Sequence, residues 1–141
     1  MPITGGCLCG AVRYSIDADP IAKRTCWCRL CQYLGAGNAT VNVGFPSAAV
    51  TTTGTVTGYA SIADSGNRII RSFCPTCGTP VFSDAEVRPQ FRFVRAGTLD
   101  DPEFGAPEIA IWTAAAPSWA CIDETIERIE GQPGVPLGGR Q

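Results

Sequence analysis

Cysteine is the residue whose number and spacing point most directly to chemistry in this chain. There are eight cysteines and no histidine among 141 residues, so the commonest nitrogen ligand for metals and the commonest general base are both absent. Seven of the cysteines fall in three short clusters, and Cys121 stands alone. The clusters are Cys7-Leu8-Cys9, Cys26-Trp27-Cys28-Arg29-Leu30-Cys31 and Cys74-Pro75-Thr76-Cys77. Any metal chemistry here must therefore use sulfur ligands.

The spacing within the clusters favours metal binding. Zinc takes thiolates at about 2.3 Å in a tetrahedron, which places neighbouring sulfurs roughly 3.8 Å apart. Short C-x-C and C-x-x-C loops bring two sulfurs this close with little further ordering of the chain. In the third cluster Pro75 restricts one φ angle, and Gly78 tolerates the positive φ that the turn after the second ligand tends to need. A redox C-x-x-C pair would instead lead into a helix, which Pro80 disfavours.

The seven clustered cysteines divide into a set of four and a set of three. A closed four-cysteine site is structural, whereas three protein ligands leave one position open, as in catalytic zinc sites. The most compact cluster supplies the three: Cys26, Cys28 and Cys31. The other clustered cysteines supply the four: Cys7, Cys9, Cys74 and Cys77. This division predicts two zinc ions per chain, one structural and one of catalytic type.

Two alternatives use the cysteines differently. Eight cysteines could form a disulfide framework, but disulfides belong to oxidising compartments. The segment Met1–Cys7 has no basic cluster followed by an apolar run, as a secretory signal would, so we expect reduced thiols and a cytoplasmic protein. The second alternative completes the three-cysteine set with Cys121 as another structural site. We expect Cys121 instead to be buried as a small apolar side chain.

The composition excludes several classes of protein. An apolar fraction of 45% and a charged fraction of 17% differ from those of a disordered chain. Lys and Arg number 11 against 13 Asp and Glu, so there is no basic surplus for binding nucleic acid. No apolar run reaches the roughly 18 residues that a membrane helix needs. The length predicts one zinc-binding domain over residues 1–141, with its core at about 5–131 and an irregular tail at 132–141.

Strands dominate the predicted secondary structure. Glycine and proline number 16 and 11, which favours short strands and many turns. Period-two patterns rich in β-branched and aromatic residues predict strands. They cover residues 11–16, 51–57, 68–73, 90–95 and 108–112. In the first strand, Val12, Tyr14 and Ile16 share one face, which we expect to be buried.

The remaining signals are a turn and a short helix. Gly44-Phe45-Pro46 has the composition of a turn. Ile122, Ile126 and Ile129 are spaced as on one face of a helix, and Gly131 could end it. The sequence therefore predicts an all-β fold with at most a short C-terminal helix.

Three motifs resemble those of a known family. They are Gly5-Gly6-Cys7-Leu8-Cys9-Gly10-Ala11-Val12-Arg13-Tyr14, Cys26-Trp27-Cys28-Arg29-Leu30-Cys31-Gln32 and Phe73-Cys74-Pro75-Thr76-Cys77-Gly78-Thr79-Pro80. Later segments continue the pattern at residues 95–102, 111–112 and 116–119. In this order they are similar to the glutathione-dependent formaldehyde-activating enzyme family, which includes centromere protein V. The resemblance extends from about Gly5 to Gly131.

The resemblance implies a fold, two zinc sites and a reaction. The fold would be a β-tent of folded-over antiparallel sheets. Cys7, Cys9, Cys74 and Cys77 would match the structural zinc ligands, and Cys26, Cys28 and Cys31 those of the catalytic zinc. The family's named activity is the addition of glutathione to formaldehyde, giving S-hydroxymethylglutathione, and its enzymes are classed as carbon–sulfur lyases.

The resemblance departs from the family pattern at Trp27. Relatives commonly carry His between the first two cysteines of the second motif. The middle side chain of a C-x-C turn tends to point away from the metal, so we expect zinc binding to survive. We interpret Trp27 as a packing wall beside the site, and any role of that His in proton transfer would be lost.

An open zinc site with three thiolates suits thiol chemistry. Its formal charge of −1 makes it a weak Lewis acid, but it can hold a thiol as a thiolate in the fourth position. The sequence therefore predicts an enzyme acting on glutathione or another small thiol adduct. The alternatives are a non-catalytic, zinc-scaffolded binding module, and a zinc store or redox responder whose exposed thiolates oxidise.

Glutathione carries two carboxylates, so its site would require arginine. Arg29, Arg92 and Arg95 are candidates, because Arg29 lies within a cysteine cluster and the other two lie on one predicted strand. Arg92 and Arg95 fall on opposite faces of that strand. Taken singly, each is expected to be a solvated surface charge.

Overall fold

The computed structural model describes residues Pro2 to Pro133, which form eleven strands in two β-sheets. The strands are β1 (Ile3–Gly6), β2 (Arg13–Ile16), β3 (Ala22–Cys26), β4 (Thr40–Pro46), β5 (Val50–Thr53), β6 (Thr57–Ile62), β7 (Arg68–Phe73), β8 (Pro80–Ala85), β9 (Phe91–Arg95), β10 (Ile109–Ile111) and β11 (Glu127–Arg128). Within the described range one α-helix, α1 (Arg29–Leu34), interrupts them. Short 3₁₀ turns occupy Ser47–Ala49, Ala96–Thr98, Pro102–Gly105 and Thr113–Ala115. The predicted all-β class is confirmed.

The two sheets differ in size and in strand direction. The small sheet has the order β1-β2-β5 and is antiparallel throughout. The large sheet has the order β11-β10-β3-β4-β9-β8-β7-β6. Its strands are antiparallel from β3 to β6, whereas β10 is parallel to both β3 and β11. None of the helices that the structure describes is long and apolar enough to span a bilayer.

The apolar core lies between the small sheet and one face of the large sheet. On the small sheet, Val12, Tyr14 and Ile16 are buried together, as their alternation predicts. The Tyr14 ring lies 5.7 Å from the ring of Phe82 on the large sheet, measured between centroids. Burying a large apolar side chain stabilises a fold by about 1.5–3 kcal/mol. The twelve buried residues of this cluster, most of them large, therefore hold the two sheets together.

The opposite face of the large sheet carries polar side chains. Strand register places Arg24 beside Asn42 and Asn42 beside Arg95, across β3, β4 and β9. Cross-strand partners point to the same side of a sheet, so this row faces away from the apolar core. Cys26, two residues after Arg24 on β3, lies on the same face.

The predicted helix near the end of the chain is wrong. Residues 122–131 form turns and the short strand β11 instead. The Ile129 amide donates to the carbonyl of Ala110 at 2.9 Å, and the Thr113 amide donates to the carbonyl of Ile129 at 3.1 Å. Pairing with β10 satisfies these backbone groups, and the helical spacing of three isoleucines does not outweigh it.

The predicted turn at Gly44-Phe45-Pro46 is also wrong, because these residues complete β4. Phe45 is fully buried in the apolar core. Residues 40–45 alternate polar or small residues with apolar ones, which is typical of a strand, whereas Gly44 and Pro46 gave a false turn signal. Of the predicted irregular tail at 132–141, residues 134–141 lie outside the described residues.

Close contact between the sheets explains one glycine and gives a test of the packing. A Cβ at Gly5 would lie 2.3 Å from the carbonyl oxygen of Thr98 and 2.4 Å from the Tyr14 hydroxyl. We expect Gly5→Ala to lower the free energy of unfolding by about 1–3 kcal/mol, because the added methyl overpacks the core. Urea denaturation measures this.

Gly97→Ala is the matched control. A Cβ at Gly97 meets no atom within 4 Å, so this variant should match or slightly exceed the wild-type stability. Equal stability of the Gly5 and Gly97 variants would contradict the packing described here.

Candidate metal centres and the adjoining cavity

Four cysteines from two distant segments meet at one edge of the core. Their sulfurs lie within 4.8 Å of one another. The Cys7 and Cys9 sulfurs are 3.6 Å apart, and those of Cys9 and Cys74 are 3.8 Å apart. These distances match the edges of about 3.8 Å in a tetrahedral zinc–thiolate site. The set Cys7, Cys9, Cys74 and Cys77 can therefore hold a metal ion.

Two tight turns aim these sulfurs at a common point. The Gly10 amide donates to the Cys7 carbonyl at 3.1 Å, and the Gly78 amide donates to the Cys74 carbonyl at 2.8 Å. Both glycines have positive φ, 83° and 78°, as predicted for Gly78. Such turns favour glycine because a Cβ would clash in this conformation.

Backbone and hydroxyl groups favour the charged form of these sulfurs. The Val12 amide donates to the Cys7 sulfur at 3.2 Å. The Thr79 hydroxyl lies 3.1 Å from the Cys77 sulfur. Hydrogen bonds from the side chain and backbone of Thr79 lower the pKa of Cys77 to about 5. Because metal ligands must be thiolates, these contacts prepare the site for a cation.

The second set, Cys26, Cys28 and Cys31, lies on the polar face of the large sheet. Its three sulfurs are within 4.8 Å of one another, and all three residues are buried. Cys26 ends β3, while the Cys28 sulfur caps α1 by accepting the Cys31 amide at 3.3 Å. Helix α1, which the sequence reasoning missed, has six residues and serves to turn Cys31 back toward Cys26.

The pKa values of these thiols are shifted in opposite directions. Hydrogen bonds from Cys26 and Cys28 lower the pKa of Cys31, and contacts with Cys28 and Cys31 raise the pKa of Cys26. Such coupling is typical of thiols packed at metal-ligand distance, where a cation takes the place of the shared protons.

Cys121 does not join this set. It is exposed, so the prediction of a buried small side chain is wrong. It lines a separate cavity of about 200 Å³ together with Thr25 and Trp27, and the described residues supply no fourth cysteine to the three. The alternative in which Cys121 completes the three-cysteine set as a second structural site is therefore not supported. All eight cysteines are unpaired, which does not support the disulfide alternative.

Trp27 is 3% exposed and faces that separate cavity. It is absent from the residues that surround the three clustered sulfurs. Its amide donates to the Ile111 carbonyl at 3.0 Å, and its carbonyl accepts from the Gln32 side chain at 2.8 Å. The backbone of Trp27 therefore positions the cysteine loop, while its indole packs on the other side.

A small cavity of about 60 Å³ opens beside the three sulfurs. Trp112, at the end of β10, forms part of its wall. Trp112 has a left-handed backbone with φ of 56°, a conformation that costs a residue with a side chain about 1–2 kcal/mol. Its indole N–H donates to Oε1 of Gln132 at 2.8 Å, which brings the end of the described chain to the cavity.

Three arginines line the same cavity: Arg24, Arg71 and Arg95. Arg95 is only 8% exposed, so the expectation of a solvated surface charge is wrong for this residue. Arg24 is 9% exposed and lies over the ring of Phe93, 4.5 Å from its centroid. Burial lowers the pKa of both, that of Arg24 to about 10, so both stay cationic at neutral pH.

The spacing between Arg24 and Cys26 in the sequence indicates that Arg24 lies near the three cysteines. Arg24 and Cys26 are two residues apart on a strand, which places them on one face. Arg29 is exposed beside Tyr33, and Arg92 pairs with Asp84 at 2.9 Å on the opposite face from Arg95. Neither lines the cavity.

Comparisons with known proteins identify a family and a similar fold. The profile of the glutathione-dependent formaldehyde-activating enzyme family matches residues 2–115. The crystal structure of a Rhodobacter sphaeroides protein superposes with a TM-score of 0.58, covering 74% of this chain and 96% of that chain at 20% identity. At that identity the likeness shows a shared fold. A search of curated proteins found no significant match.

The two cysteine sets give a prediction about metal content. We expect Cys28→Ser to lower the bound metal by about one ion per chain, because it removes one of three ligands from a site without a spare cysteine. Cys121→Ser should leave the metal content unchanged. Elemental analysis of protein purified without chelator measures both, and an equal loss in the two variants would show that Cys121 is a ligand.

Proposed function

Because the chain belongs to the glutathione-dependent formaldehyde-activating enzyme family, we propose that it is a zinc-dependent enzyme of the carbon–sulfur lyase type that joins glutathione or another small thiol to a small aldehyde. The observation that carries this proposal is the set of three buried sulfurs beside a small cavity. A site with three protein ligands leaves a coordination position for a substrate.

The proposal assigns different roles to the two cysteine sets. Cys7, Cys9, Cys74 and Cys77 would hold a structural zinc that ties β1 to the turn after β7. Cys26, Cys28 and Cys31 would hold a second zinc, which would supply a position where a thiol is kept deprotonated at neutral pH. Such reduced sites need a reducing compartment, so we place the protein in the cytoplasm as one zinc-binding domain.

The chain's own residues would orient and enclose the reactants. In the reaction, the sulfur of the thiol forms a bond to the aldehyde carbon, and the proton of the thiol ends on the aldehyde oxygen. The reverse reaction breaks the same bond. The reacting groups would meet beside the cavity of about 60 Å³, where Arg24 and Arg95 would offset the negative charge of the thiolates. Holding both reactants together would supply most of the rate enhancement.

Metal content and activity together test the function. We expect two zinc ions per chain and an enzyme-dependent exchange between formaldehyde and its glutathione adduct, followed by NMR. Cys28→Ala should abolish this exchange while leaving the fold intact, because Cys28 belongs neither to the apolar core between the two sheets nor to the four-cysteine set. Cys121→Ala is the control and should exchange at the wild-type rate.

The outcomes separate the proposal from its alternative. An unchanged exchange rate in Cys28→Ala would exclude catalysis at the three-cysteine set. Two bound zinc ions without exchange of any thiol adduct would favour the zinc-scaffolded binding module.

Position 27 gives an independent test. Since the Trp27 side chain lies away from the three sulfurs, Trp27→His should add no activity. It should lower the free energy of unfolding by on the order of 3 kcal/mol, because a large buried side chain is replaced by a smaller polar one. Exchange kinetics and urea denaturation measure the two effects, and a gain in exchange rate would show that this position reaches the reacting atoms.

A further inference from the structure

Two of the described residues that line the cavity beside the three cysteines carry a buried hydrogen-bond donor without an acceptor. Within Pro2–Pro133, Nε of Arg95 and Nε2 of Gln132 are buried and have no hydrogen-bond partner. The orientation of the Gln132 amide is defined by its neighbour, since the Trp112 indole N–H can only donate and must face Oε1. The amide nitrogen of Gln132 is therefore left to donate to something else.

Several acceptors around the cavity already take part in hydrogen bonds within the described chain. Oδ1 of Asn42 accepts from Arg95 at 2.6 Å, and the Ser61 hydroxyl accepts from Arg71 at 2.8 Å. Among the described lining residues the one carboxylate is Asp64, and one of its oxygens accepts the backbone amide of Arg29 at 3.3 Å. This contact holds the loop between β6 and β7 against the start of α1.

The three arginines also lack carboxylate partners. The ion pairs found among the described residues belong to other arginines, namely Arg13, Arg68 and Arg92. With a zinc ion on the three cysteines, that centre would carry a formal charge of −1. Together with Asp64 and the three guanidinium groups it would leave one net positive charge among the described lining residues. A buried charge without a partner is costly, so this cavity is built to receive an anion.

The space available limits the size of the anionic group. The cavity of about 60 Å³ has room for a few waters or for one carboxylate. It adjoins a second cavity of about 190 Å³, and four residues line both: Arg24, Ile69, Ser83 and Phe93. Phe91 and Phe93 give the second cavity apolar walls, where the rest of a small molecule can lie.

We infer that Arg24, Arg71, Arg95 and Gln132 form a carboxylate subsite, so that a molecule bound at the three-cysteine centre carries its carboxylate beside the reacting group. Guanidinium groups bind carboxylates through paired, charge-assisted hydrogen bonds. The carboxylate can belong to the thiol, as in glutathione, or to the aldehyde, as in glyoxylate. The inference rests on the proposed function for the reaction, but the binding of the carboxylate does not require turnover.

Calorimetric titration of the zinc-loaded protein tests the subsite directly. The probes are glutathione, glutathione diethyl ester and glyoxylate. We expect Arg71→Gln to weaken binding of the carboxylated probe by about tenfold to a hundredfold and to leave binding of the ester unchanged. Arg68→Gln is the matched control, because Arg68 lies on the same strand but is exposed and pairs with Glu86 outside the cavity.

The two probes identify the source of the carboxylate. A loss confined to glutathione assigns the carboxylate to the thiol, and a loss confined to glyoxylate assigns it to the aldehyde. Wild-type affinity for both probes in Arg71→Gln, or no binding of either probe to the wild-type protein, would overturn the inference.

A second variant keeps the test independent of the fold of Arg71→Gln. Gln132→Glu keeps the acceptor for Trp112 but replaces the unpartnered donor with a negative oxygen. This variant should fold normally and weaken the binding of the carboxylated probe at least tenfold, because its own carboxylate would occupy the subsite. Full affinity in this variant would contradict the assignment.

Failure of the subsite is distinguishable from failure of the proposed function. Carboxylate binding that depends on Arg71 without any exchange would leave the subsite standing and refute the enzyme. Exchange with an unchanged kcat/KM in both variants would refute the subsite and leave the proposed enzyme activity standing.

Discussion

The alternation of side chains along β4 determines which residues of the large sheet face the apolar core and which face the candidate site. This strand lies between β3 and β9 and is buried along most of its length. Val43 and Phe45 point into the apolar core, while Thr40 and Asn42 point to the opposite face, where the three cysteines lie. A slip of one residue in its pairing would exchange the two sets, bringing an amide into the core and apolar groups to the cavity. The core and the candidate site therefore depend on a single register.

The cavity joins opposite charges that would each be unfavourable if buried alone. Cysteine sulfurs that could hold a metal ion as thiolates, at the end of β3 and the start of α1, lie beside arginines from β3, β7 and β9. Asn42 binds the guanidinium of Arg95, and the ring of Phe93 supports that of Arg24. Neighbouring strands thus fix the positions of the cations before any ligand arrives, which reduces the reorganisation needed on binding.

Local spacing made the cysteine sets predictable, whereas non-local register concealed the arginines. The sulfurs of each cluster lie a few residues apart, so chain geometry alone brings them together. Alternation likewise revealed β2, whose other face is polar. The same alternation runs through β4, but Gly44 and Pro46 gave a false turn signal there. The local sequence also does not show that Arg95 lies beside Asn42 on the neighbouring strand. Three isoleucines at helical spacing gave a false helix, because the parallel partner β10 was not visible in the local sequence.

The topology also imposes a sequence of events during synthesis. The cysteines of the second set lie near the beginning of the chain, but the wall that covers them includes Trp112 and Gln132, which the ribosome makes much later. About 100 residues separate Cys31 from Gln132, which corresponds to a delay of about 5–20 s at ordinary rates of translation. During that interval the nascent chain presents its thiols without their cover. The order of the strands therefore makes these thiols accessible before the cavity can close over them.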